Sequence, residues 1–228
     1  MNKKTIIIII SIIGIIMIGA LYIKVKFNGP NHPSENAKSA IKKLQESDHI
    51  KNGDIIFQTS LSKQSKAIQL ATHSKYSHCG IIYKNKDKYF VFEAVEPVKN
   101  TTLENWISRG ENGHYVIKRL KNAEQILTPE VIQKMKTEGE QFKGKHYDKK
   151  FEWSDTKIYC SELIWKVYQR STGIKIGKLG KLKDFDFSNE TVKQLLKDRY
   201  SNNINMDETI ISPVAIFNSE LLETVSEN

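Results

Sequence analysis

Residues 6–23 form an almost unbroken apolar run, interrupted only by one serine, two glycines and the phenol of a tyrosine. A membrane-spanning helix needs about 17–25 apolar residues, whereas the core of a signal peptide has roughly 7–15. The run therefore predicts one N-terminal transmembrane helix within an uncleaved anchor over residues 1–26, with a cleaved signal peptide as the alternative. The short N-terminal tail favours a topology in which the rest of the chain lies outside the cytoplasm.

Helical periodicity returns several times after the anchor. Residues 27–50 combine a linker containing Gly and Pro with a helix that Ser34 caps; its apolar face is formed by Ala37, Ala40, Ile41 and Leu44. Thr128-Pro129-Glu130 marks the start of another helix, because a capping residue is followed by proline and an acid; we expect that helix to end near Gly144. The same spacing predicts helices at 65–72, 160–170, 190–199 and 213–224.

Four short segments rich in β-branched and aromatic residues predict strands at 55–57, 79–84, 89–95 and 114–120. The polar turn at 84–88 joins the second and third strands into a hairpin. Strands that lie close together along the chain, with the helices segregated from them, indicate an α+β fold rather than a doubly wound sheet. We assign residues 51–228 to one domain with a substantial core.

The charge of the chain is strongly basic. Lys3 and Lys4 are the only charged residues in 1–23, so the remainder carries 33 basic against 26 acidic residues, a net charge of +7. The simplest reading of this charge is a solvated basic surface; the functional reading is attraction to anionic envelope polymers or lipid headgroups. For a domain held outside the cytoplasm, nucleic acid is not an expected partner.

Cys160 is the leading candidate nucleophile, because it begins the amphipathic helix at 160–170. Unpaired N–H groups and the helix dipole favour thiolate there, and can lower a thiol pKa from about 8.5 to roughly 3.5–7.5. The alternative is a buried cysteine that packs as a small apolar side chain.

His78 is the candidate base, on the strand that precedes Cys160 by about eighty residues. Because side chains alternate along a strand, His78 and Cys79 should face opposite sides. Cys79 is therefore expected to pack in the core away from the site. With only two cysteines there is no disulfide framework, and a Cys79–Cys160 bridge would contradict an enzymatic role.

Glu93 is selected by strand register. A hairpin turn centred between Asn85 and Lys86 would place Glu93 directly opposite His78, where the two side chains share one face. The carboxylate could then accept the second imidazole N–H and stabilise the imidazolium. Glu96 is the second choice for this role.

Tyr147 is a candidate hydrogen-bond donor to an oxyanion, together with the backbone N–H of Cys160; an ordinary packed aromatic residue is the alternative. The six histidines are scattered, and no Cys-x-x-Cys, His-Glu-x-x-His or glycine-rich phosphate loop occurs. We therefore expect neither a metal nor a cofactor.

These residues resemble known hydrolase motifs. Ser77-His78-Cys79-Gly80-Ile81 followed by Phe92-Glu93-Ala94, and Gly144-x-x-Tyr147 followed by Tyr159-Cys160-Ser161, resemble the strands and cysteine helix of NlpC-type cell-wall hydrolases. Those enzymes run cysteine, histidine, polar residue, whereas here the histidine comes first. With Gly53-Asp54-Ile55-Ile56-Phe57 ahead and Cys160-Ser161-Glu162-Leu163 behind, the order is similar to that of YiiX/YebB-like permuted papain-fold hydrolases, over residues 50–217.

The resemblance implies a circularly permuted papain-like fold with an antiparallel sheet or barrel packed on helices. It also implies Cys160 as nucleophile, His78 as base, Glu93 as the orienting residue and Tyr147 as oxyanion donor. Glutamate stands where the wider superfamily often has histidine, asparagine or glutamine. The chemistry implied is attack on an amide or ester carbonyl through a thioester.

Three functions follow as hypotheses. The first is a membrane-tethered, extracytoplasmic thiol hydrolase that cleaves a peptide or amino-acid amide of the cell envelope, or a secreted form of it after signal cleavage. The second is hydrolysis or transfer of a lipid acyl group. The third is a non-catalytic module that binds the envelope through its basic surface. The sequence does not determine the oligomeric state.

Overall fold

The computed structural model describes residues 35–46, 49–200 and 204–228. The predicted anchor at 1–26 and the capping residue Ser34 lie outside these ranges. Within them, no helix is both long and apolar enough to cross a membrane.

One antiparallel sheet of six strands organises the chain, in the order β4-β3-β2-β1-β5-β8. A two-stranded ribbon, β6-β7, lies apart from it. The strands are β1 Ile55–Gln58, β2 His78–Asn85, β3 Lys88–Glu93, β4 Lys99–Thr102, β5 Val116–Leu120, β6 Gly180–Lys181, β7 Thr209–Ile210 and β8 Leu222–Glu227.

Eight α-helices lie within the described ranges, and two short 3₁₀ turns occur at Glu111–Gly113 and Leu182–Asp184. The helices are α1 Glu35–Glu46, α2 Lys63–Thr72, α3 Leu103–Ser108, α4 Ala123–Ile126, α5 Pro129–Glu140, α6 Cys160–Thr172, α7 Glu190–Tyr200 and α8 Pro213–Phe217. The antiparallel sheet with separate helices confirms the α+β class.

Hydrophobic residues cover both faces of the sheet. On one face, α1 and α3 pack through residues such as Leu44 and Trp106 against the alternate strand positions that include Ile82. On the other face, α5 and α6 pack against the positions that include Phe57 and Cys79. Since strand side chains alternate between faces, the two cores use neighbouring residues of the same strands.

The C-terminal half of the helix that carries Cys160 is held at two points. Gly173 follows its last residue with a φ of 79°, a left-handed conformation in which glycine is favoured. The hydroxyl of Tyr168 donates to the carbonyl of Gly53, at the turn that precedes β1. The cysteine helix is thereby tied to the first strand of the sheet.

The helix that starts at Pro129 ends at Glu140 rather than near Gly144. Phe142 is fully buried, and Gly144 donates its N–H to Val98 at 2.9 Å. The chain therefore leaves the helix early because it turns to pack Phe142 and to meet the loop that contains Val98.

The single helix predicted at 213–224 is wrong in its second half. The helix α8 ends at Phe217, and residues 222–227 form β8, which pairs with β5 along the edge of the sheet. This short segment becomes a strand because β5 offers an unpaired edge, a long-range interaction that local periodicity does not record. Strand β4 and helix α3 were also not predicted.

The register predicted for the β2–β3 hairpin is also wrong. Asn85 pairs with Lys88, and Ile81 with Phe92, so the turn is the two-residue Lys86-Asp87 segment. Lys86 has a φ of 52°, which closes this tight turn. Continuing this register places Gly80, not His78, opposite Glu93.

Candidate active site

Cys160 is the first residue of α6, and the residues around it hold that helix start in place. Tyr159 is the N-cap, with an extended backbone and no side-chain hydrogen bond across the cap. Ser161 Oγ donates to the Ile211 carbonyl at 2.8 Å, and the Ile211 N–H donates to the Tyr159 hydroxyl at 3.1 Å. The helix N-terminus that meets the thiol is therefore rigidly anchored.

The pKa of the Cys160 thiol lies well below its usual range. The Cys79 thiol donates a hydrogen bond to it, and the His78 imidazole adds a hydrogen bond and a positive charge, while burial opposes these effects. Cys160 is 2% exposed and faces the apolar core on one side. Its surroundings favour a thiolate paired with an imidazolium.

Cys79 lies beside Cys160, contrary to the prediction that it would pack away from the site. Its side chain is on the α6 face of the sheet, and burial next to Cys160 raises its pKa well above the usual range. His78 and Cys79 do point to opposite faces, but both lie at the end of β2 that meets the start of α6. Side chains from both faces therefore reach the same sulfur. Both cysteines are free thiols.

His78 contacts Glu93 through Nε2, 2.6 Å from Oε2. Because Glu93 occupies Nε2, Nδ1 is the ring nitrogen of His78 that remains for the Cys160 thiol. The ring stacks on Trp106, with centroids 5.8 Å apart and planes inclined by 23°. Burial lowers the pKa of His78, but the Cys160 thiolate and the Glu93 carboxylate outweigh it and raise the pKa to about 9. The imidazole is therefore protonated at neutral pH.

Glu93 is completely buried and fully hydrogen-bonded. Oε1 accepts from Thr101 Oγ1 at 2.5 Å and from the guanidinium of Arg109. Burial opposes ionisation, but the bonds and charges of His78 and Arg109, with the Thr101 bond, lower its pKa to about 2. Thr101 and Arg109 were missed, because they lie on β4 and just beyond α3, two elements that the sequence did not predict.

Gly80 explains how Glu93 reaches His78 despite the shifted register. His78 and Glu93 are diagonal neighbours, and diagonal pairs are within reach only of long side chains. A Cβ on Gly80 would lie 2.3 Å from Val91 Cγ1 and 3.4 Å from Glu93 Cβ. The missing side chain at position 80 lets Glu93 extend across β2 toward the imidazole.

Tyr147 lies on the wall of the site. Its hydroxyl accepts a hydrogen bond from Gln64 Nε2 at 2.9 Å. Burial and the nearby Cys160 thiolate raise its pKa well above the usual range, so the phenol keeps its proton. Glu96, the second choice for the orienting carboxylate, instead binds His146 Nδ1 at 2.6 Å and the Tyr147 N–H at 3.1 Å.

Two cavities meet at this group of residues. An open groove of about 700 Å³ runs past His78, and its mixed lining includes the polar residues Ser60, Gln64 and Arg109. A second pocket of about 70 Å³ ends at Cys160 and is almost entirely apolar. Tyr147 lines both cavities. The walls of the apolar pocket include Ile68, Phe151, Phe185, Leu195, Leu196 and Ile210.

A thiol at a helix start, an imidazole on an antiparallel strand and a buried carboxylate behind it define the papain-like class of thiol hydrolases. The histidine strand precedes the cysteine helix, so the class is the permuted one. The family described as permuted papain-like amidase enzymes, YaeF/YiiX, C92, matches residues 49–226, and the chain belongs to this family.

Two relatives agree with that assignment. The YiiX protein of Escherichia coli (strain K12) is 49% identical over 175 residues, which cover 77% of this chain and 85% of YiiX. The crystal structure of the metalloprotein yiiX from Escherichia coli O157:H7 superposes with a TM-score of 0.75 at 49% identity, covering 79% of this chain and 98% of that one. The chain is thus a member of an amidase-type cysteine hydrolase family.

Proposed function

We propose that this protein is a thiol amidase in which Cys160 attacks the carbonyl carbon of an amide, with His78 as the acid and base. Glu93 orients the imidazole and Tyr147 donates to the oxyanion. The observation that carries the proposal is the His78–Glu93 contact of 2.6 Å beside a thiol of lowered pKa at a helix N-terminus.

The acylation step follows from these positions. The Cys160 thiolate forms a bond to the carbonyl carbon, and the electron pair moves to the carbonyl oxygen. Tyr147 and the backbone N–H of Cys160 stabilise the negative charge on that oxygen. When the oxyanion collapses, the C–N bond breaks and the His78 imidazolium gives its proton to the leaving amine. A thioester on Cys160 and neutral His78 remain.

The second step reverses the role of His78. The neutral imidazole takes a proton from water, and the resulting hydroxide attacks the thioester carbon. The C–S bond then breaks, the acid leaves, and the thiolate–imidazolium pair is restored. Glu93 stays ionised throughout and holds the imidazolium, a role that its lowered pKa supports.

We further propose that the domain is held outside the cytoplasm by residues 1–26 and acts on a peptide or amino-acid amide of the cell envelope. The length of the apolar run at 6–23 and the net charge of +7 on the remaining chain support this location. Secretion after signal cleavage is the alternative.

The related YiiX structure is described as that of a metalloprotein. Among the residues described for this chain, no three His, Cys, Asp or Glu side chains come together as a ligand set. The proposed reaction is carried by Cys160, His78, Glu93 and Tyr147 alone.

The decisive test is turnover by the protein lacking residues 1–26, with Cys160→Ala as control. Aminoacyl and dipeptidyl aminomethylcoumarin amides serve as substrates, and release of the fluorescent amine is measured. We expect hydrolysis that Cys160→Ala abolishes, and rapid alkylation of Cys160 by iodoacetamide at neutral pH. A Cys160 that alkylates no faster than a free thiol, together with no turnover, would support the non-catalytic envelope-binding module instead.

A second function is favoured by the apolar pocket that ends at Cys160. Its lining of aliphatic and aromatic side chains suits a fatty acyl group better than a polar peptide. In this second function the Cys160 thiol forms a thioester with a lipid-derived acyl group, and water or another acceptor then takes the acyl group from the thioester. The proximity of the proposed anchor to the bilayer suits such a substrate.

A series of p-nitrophenyl esters of increasing chain length separates the two substrates. If the pocket holds an acyl chain, kcat/KM rises from acetate to octanoate, and Ala71→Leu, which narrows the pocket, removes the gain. Lys66→Leu, an exposed change on the same helix, serves as control. A kcat/KM that is flat with chain length and unaffected by Ala71→Leu would leave the peptide amide as the substrate.

A further inference from the structure

Three side chains from distant parts of the sequence form one line of hydrogen bonds that ends at Tyr147. Arg199 Nη2, in the last turn of α7, donates to Gln64 Oε1 at 2.7 Å. Gln64, in the first turn of α2, donates from Nε2 to the Tyr147 hydroxyl at 2.9 Å. The line therefore joins two helices to the loop that carries the oxyanion donor of the proposed reaction.

Arg199 fixes the direction of every bond in this line. A guanidinium has donors and no acceptor, so the Gln64 amide must turn its oxygen toward Arg199. Its NH₂ group must then face Tyr147. Because the phenol oxygen accepts that bond, the Tyr147 proton points away from Gln64.

Tyr147 lies beside the reaction centre. Tyr147 lines the apolar pocket that Cys160 closes, and also the groove past His78. The phenol remains protonated beside the thiolate. A hydroxyl that accepts from one side is left to donate toward the carbonyl oxygen of a substrate attacked by Cys160.

Arg199 is itself held by the loop that follows Tyr147. Nη1 donates to the Lys149 carbonyl at 3.0 Å, and the guanidinium lies 5.4 Å from the centre of the Phe151 ring. The neighbouring Tyr200 hydroxyl donates to the Lys150 carbonyl. The last turn of α7 thus fastens the loop and sets the polarity of the hydrogen bonds at the same time.

We propose that Arg199 and Gln64 are positioning residues that direct the Tyr147 O–H toward the oxyanion. The inference rests on the proposed function, in which Cys160 forms a tetrahedral oxyanion. It predicts that reversing the direction of the hydrogen bond between Gln64 and Tyr147 takes the Tyr147 O–H away from the oxyanion, while the side chains stay in contact.

Gln64→Glu makes that reversal with minimal change in shape. The carboxylate keeps and strengthens its pairing with Arg199, but it has no proton to give to Tyr147. The phenol then donates to the new carboxylate and no longer to the oxyanion. A merely structural role predicts an unchanged or more stable protein with wild-type kcat, whereas the positioning role predicts a folded protein with a much lower kcat.

The test measures p-nitrophenol release from p-nitrophenyl acetate and alkylation of Cys160 by iodoacetamide, which forms no oxyanion. We expect Gln64→Glu to lower kcat by about 10²-fold, as for loss of an oxyanion donor, with KM and the alkylation rate within about twofold of wild type. Tyr147→Phe should show the same loss, and the double variant no further loss. Lys66→Gln, the same change of charge on α2, should retain wild-type kcat.

Two results would overturn the positioning role while the hydrolase stands. One is a Gln64→Glu protein with wild-type kcat in a system where Cys160→Ala is inactive. The other is a loss that adds fully to that of Tyr147→Phe, or that lowers alkylation equally, since the thiol would then be the group disturbed. Wild-type release no faster than that of Cys160→Ala would instead overturn the proposed function, and the positioning role with it.

Discussion

The ionic state of three side chains determines what the site can do. Cys160 raises the pKa of His78, and His78 lowers that of Cys160, so the two stabilise a thiolate–imidazolium pair. Glu93 supports the imidazolium because Arg109 and Thr101 keep its carboxylate ionised in a buried position. A lone buried carboxylate would be costly, so its hydrogen-bond partners are as necessary as the carboxylate itself.

Glu93→Gln should therefore raise the pKa of Cys160, because the amide no longer stabilises the positive charge of His78. We expect the midpoint of the pH dependence of alkylation by iodoacetamide to move upward, and amide turnover to fall on the order of 10²-fold. The measurement is the alkylation rate from about pH 4 to 9. Glu104→Gln, an exposed carboxylate on α3, is the control; equal profiles for both variants and wild type would contradict the role of Glu93.

The pH dependence of turnover should separate the acid from the nucleophile. His78 has a raised pKa of about 9, so its proton is present below that value and is lost as the pH rises through it. The Cys160 thiolate is instead retained as the pH rises. We expect acylation by an amide, which needs the proton for the leaving amine, to fall above about pH 9. Alkylation by iodoacetamide should not fall there, and a parallel decline of both rates would contradict the assignment.

The elements bring these residues together through the end of one hairpin and the start of one helix. The β2–β3 pair supplies His78 and Glu93 at the end that meets α6, and Gly80 leaves the space through which Glu93 reaches across. Helix α3 adds Trp106 against the imidazole and Arg109, just past its end, against Glu93. The geometry of the site thus depends on strand packing as much as on the cysteine helix.

We expect Gly80→Ala to reduce amide turnover strongly while the protein still folds. The new Cβ would lie 2.3 Å from Val91 Cγ1 and 3.0 Å from the Phe92 carbonyl oxygen, so β3 has to shift. We expect a loss of about 1–3 kcal/mol in the free energy of unfolding, typical of overpacking, and a larger proportional loss of activity because Glu93 moves with β3. Chemical denaturation and amide turnover measure the two effects.

A control substitution at the opposite end of the β2–β3 hairpin provides the comparison for Gly80→Ala. Lys88→Ala alters the exposed start of β3, far from Glu93, and should retain turnover. A Gly80→Ala protein with wild-type activity would show that Glu93 does not need the space above Gly80.

At the scale of the whole molecule, the sheet lies between two sets of helices, and only one set carries the nucleophile. The helix α1 belongs to the other set, where Ile41 and Leu44 are buried against the sheet. That face also holds Trp106, which stacks on His78. The N-terminal helix therefore supports the site from behind, while the segment before it is the one proposed to reach the membrane.

Two truncations should behave differently for this reason. Removal of residues 1–34 leaves every described element intact, so we expect an unchanged unfolding free energy and release from the membrane fraction. Removal of residues 1–48 also exposes the face that Ile41 and Leu44 cover, at a cost of about 3–6 kcal/mol for two large aliphatic side chains. Denaturation and fractionation of the full chain and both truncations check this; equal stability of the two truncations would contradict it.

Much of the fold was predictable because it depends on local chemistry. The capping residue and proline at 128–129 start α5, the amphipathic spacing after Cys160 forms α6, and the polar turn joins β2 to β3. The errors occur where a distant segment decides the outcome. Residues 222–227 become a strand only because β5 has a free edge, and β4 and α3 form where β3 and the buried Glu93 provide partners.

The sequence by itself determined the α+β class, the order of histidine before cysteine, and the choice of Cys160, His78, Glu93 and Tyr147 as the residues to consider. The class, Cys160 and His78 follow from periodicity, helix position and side-chain chemistry, which are local properties of the chain. Glu93 was chosen from a strand register that proved wrong, and Tyr147 from the resemblance to the hydrolase family. The tertiary structure alone decided that Cys79 touches Cys160, that Arg109 and Thr101 hold Glu93, and that Arg199 reaches Tyr147 through Gln64. Those contacts join segments far apart in sequence, and only packing of the folded chain determines which distant side chains meet.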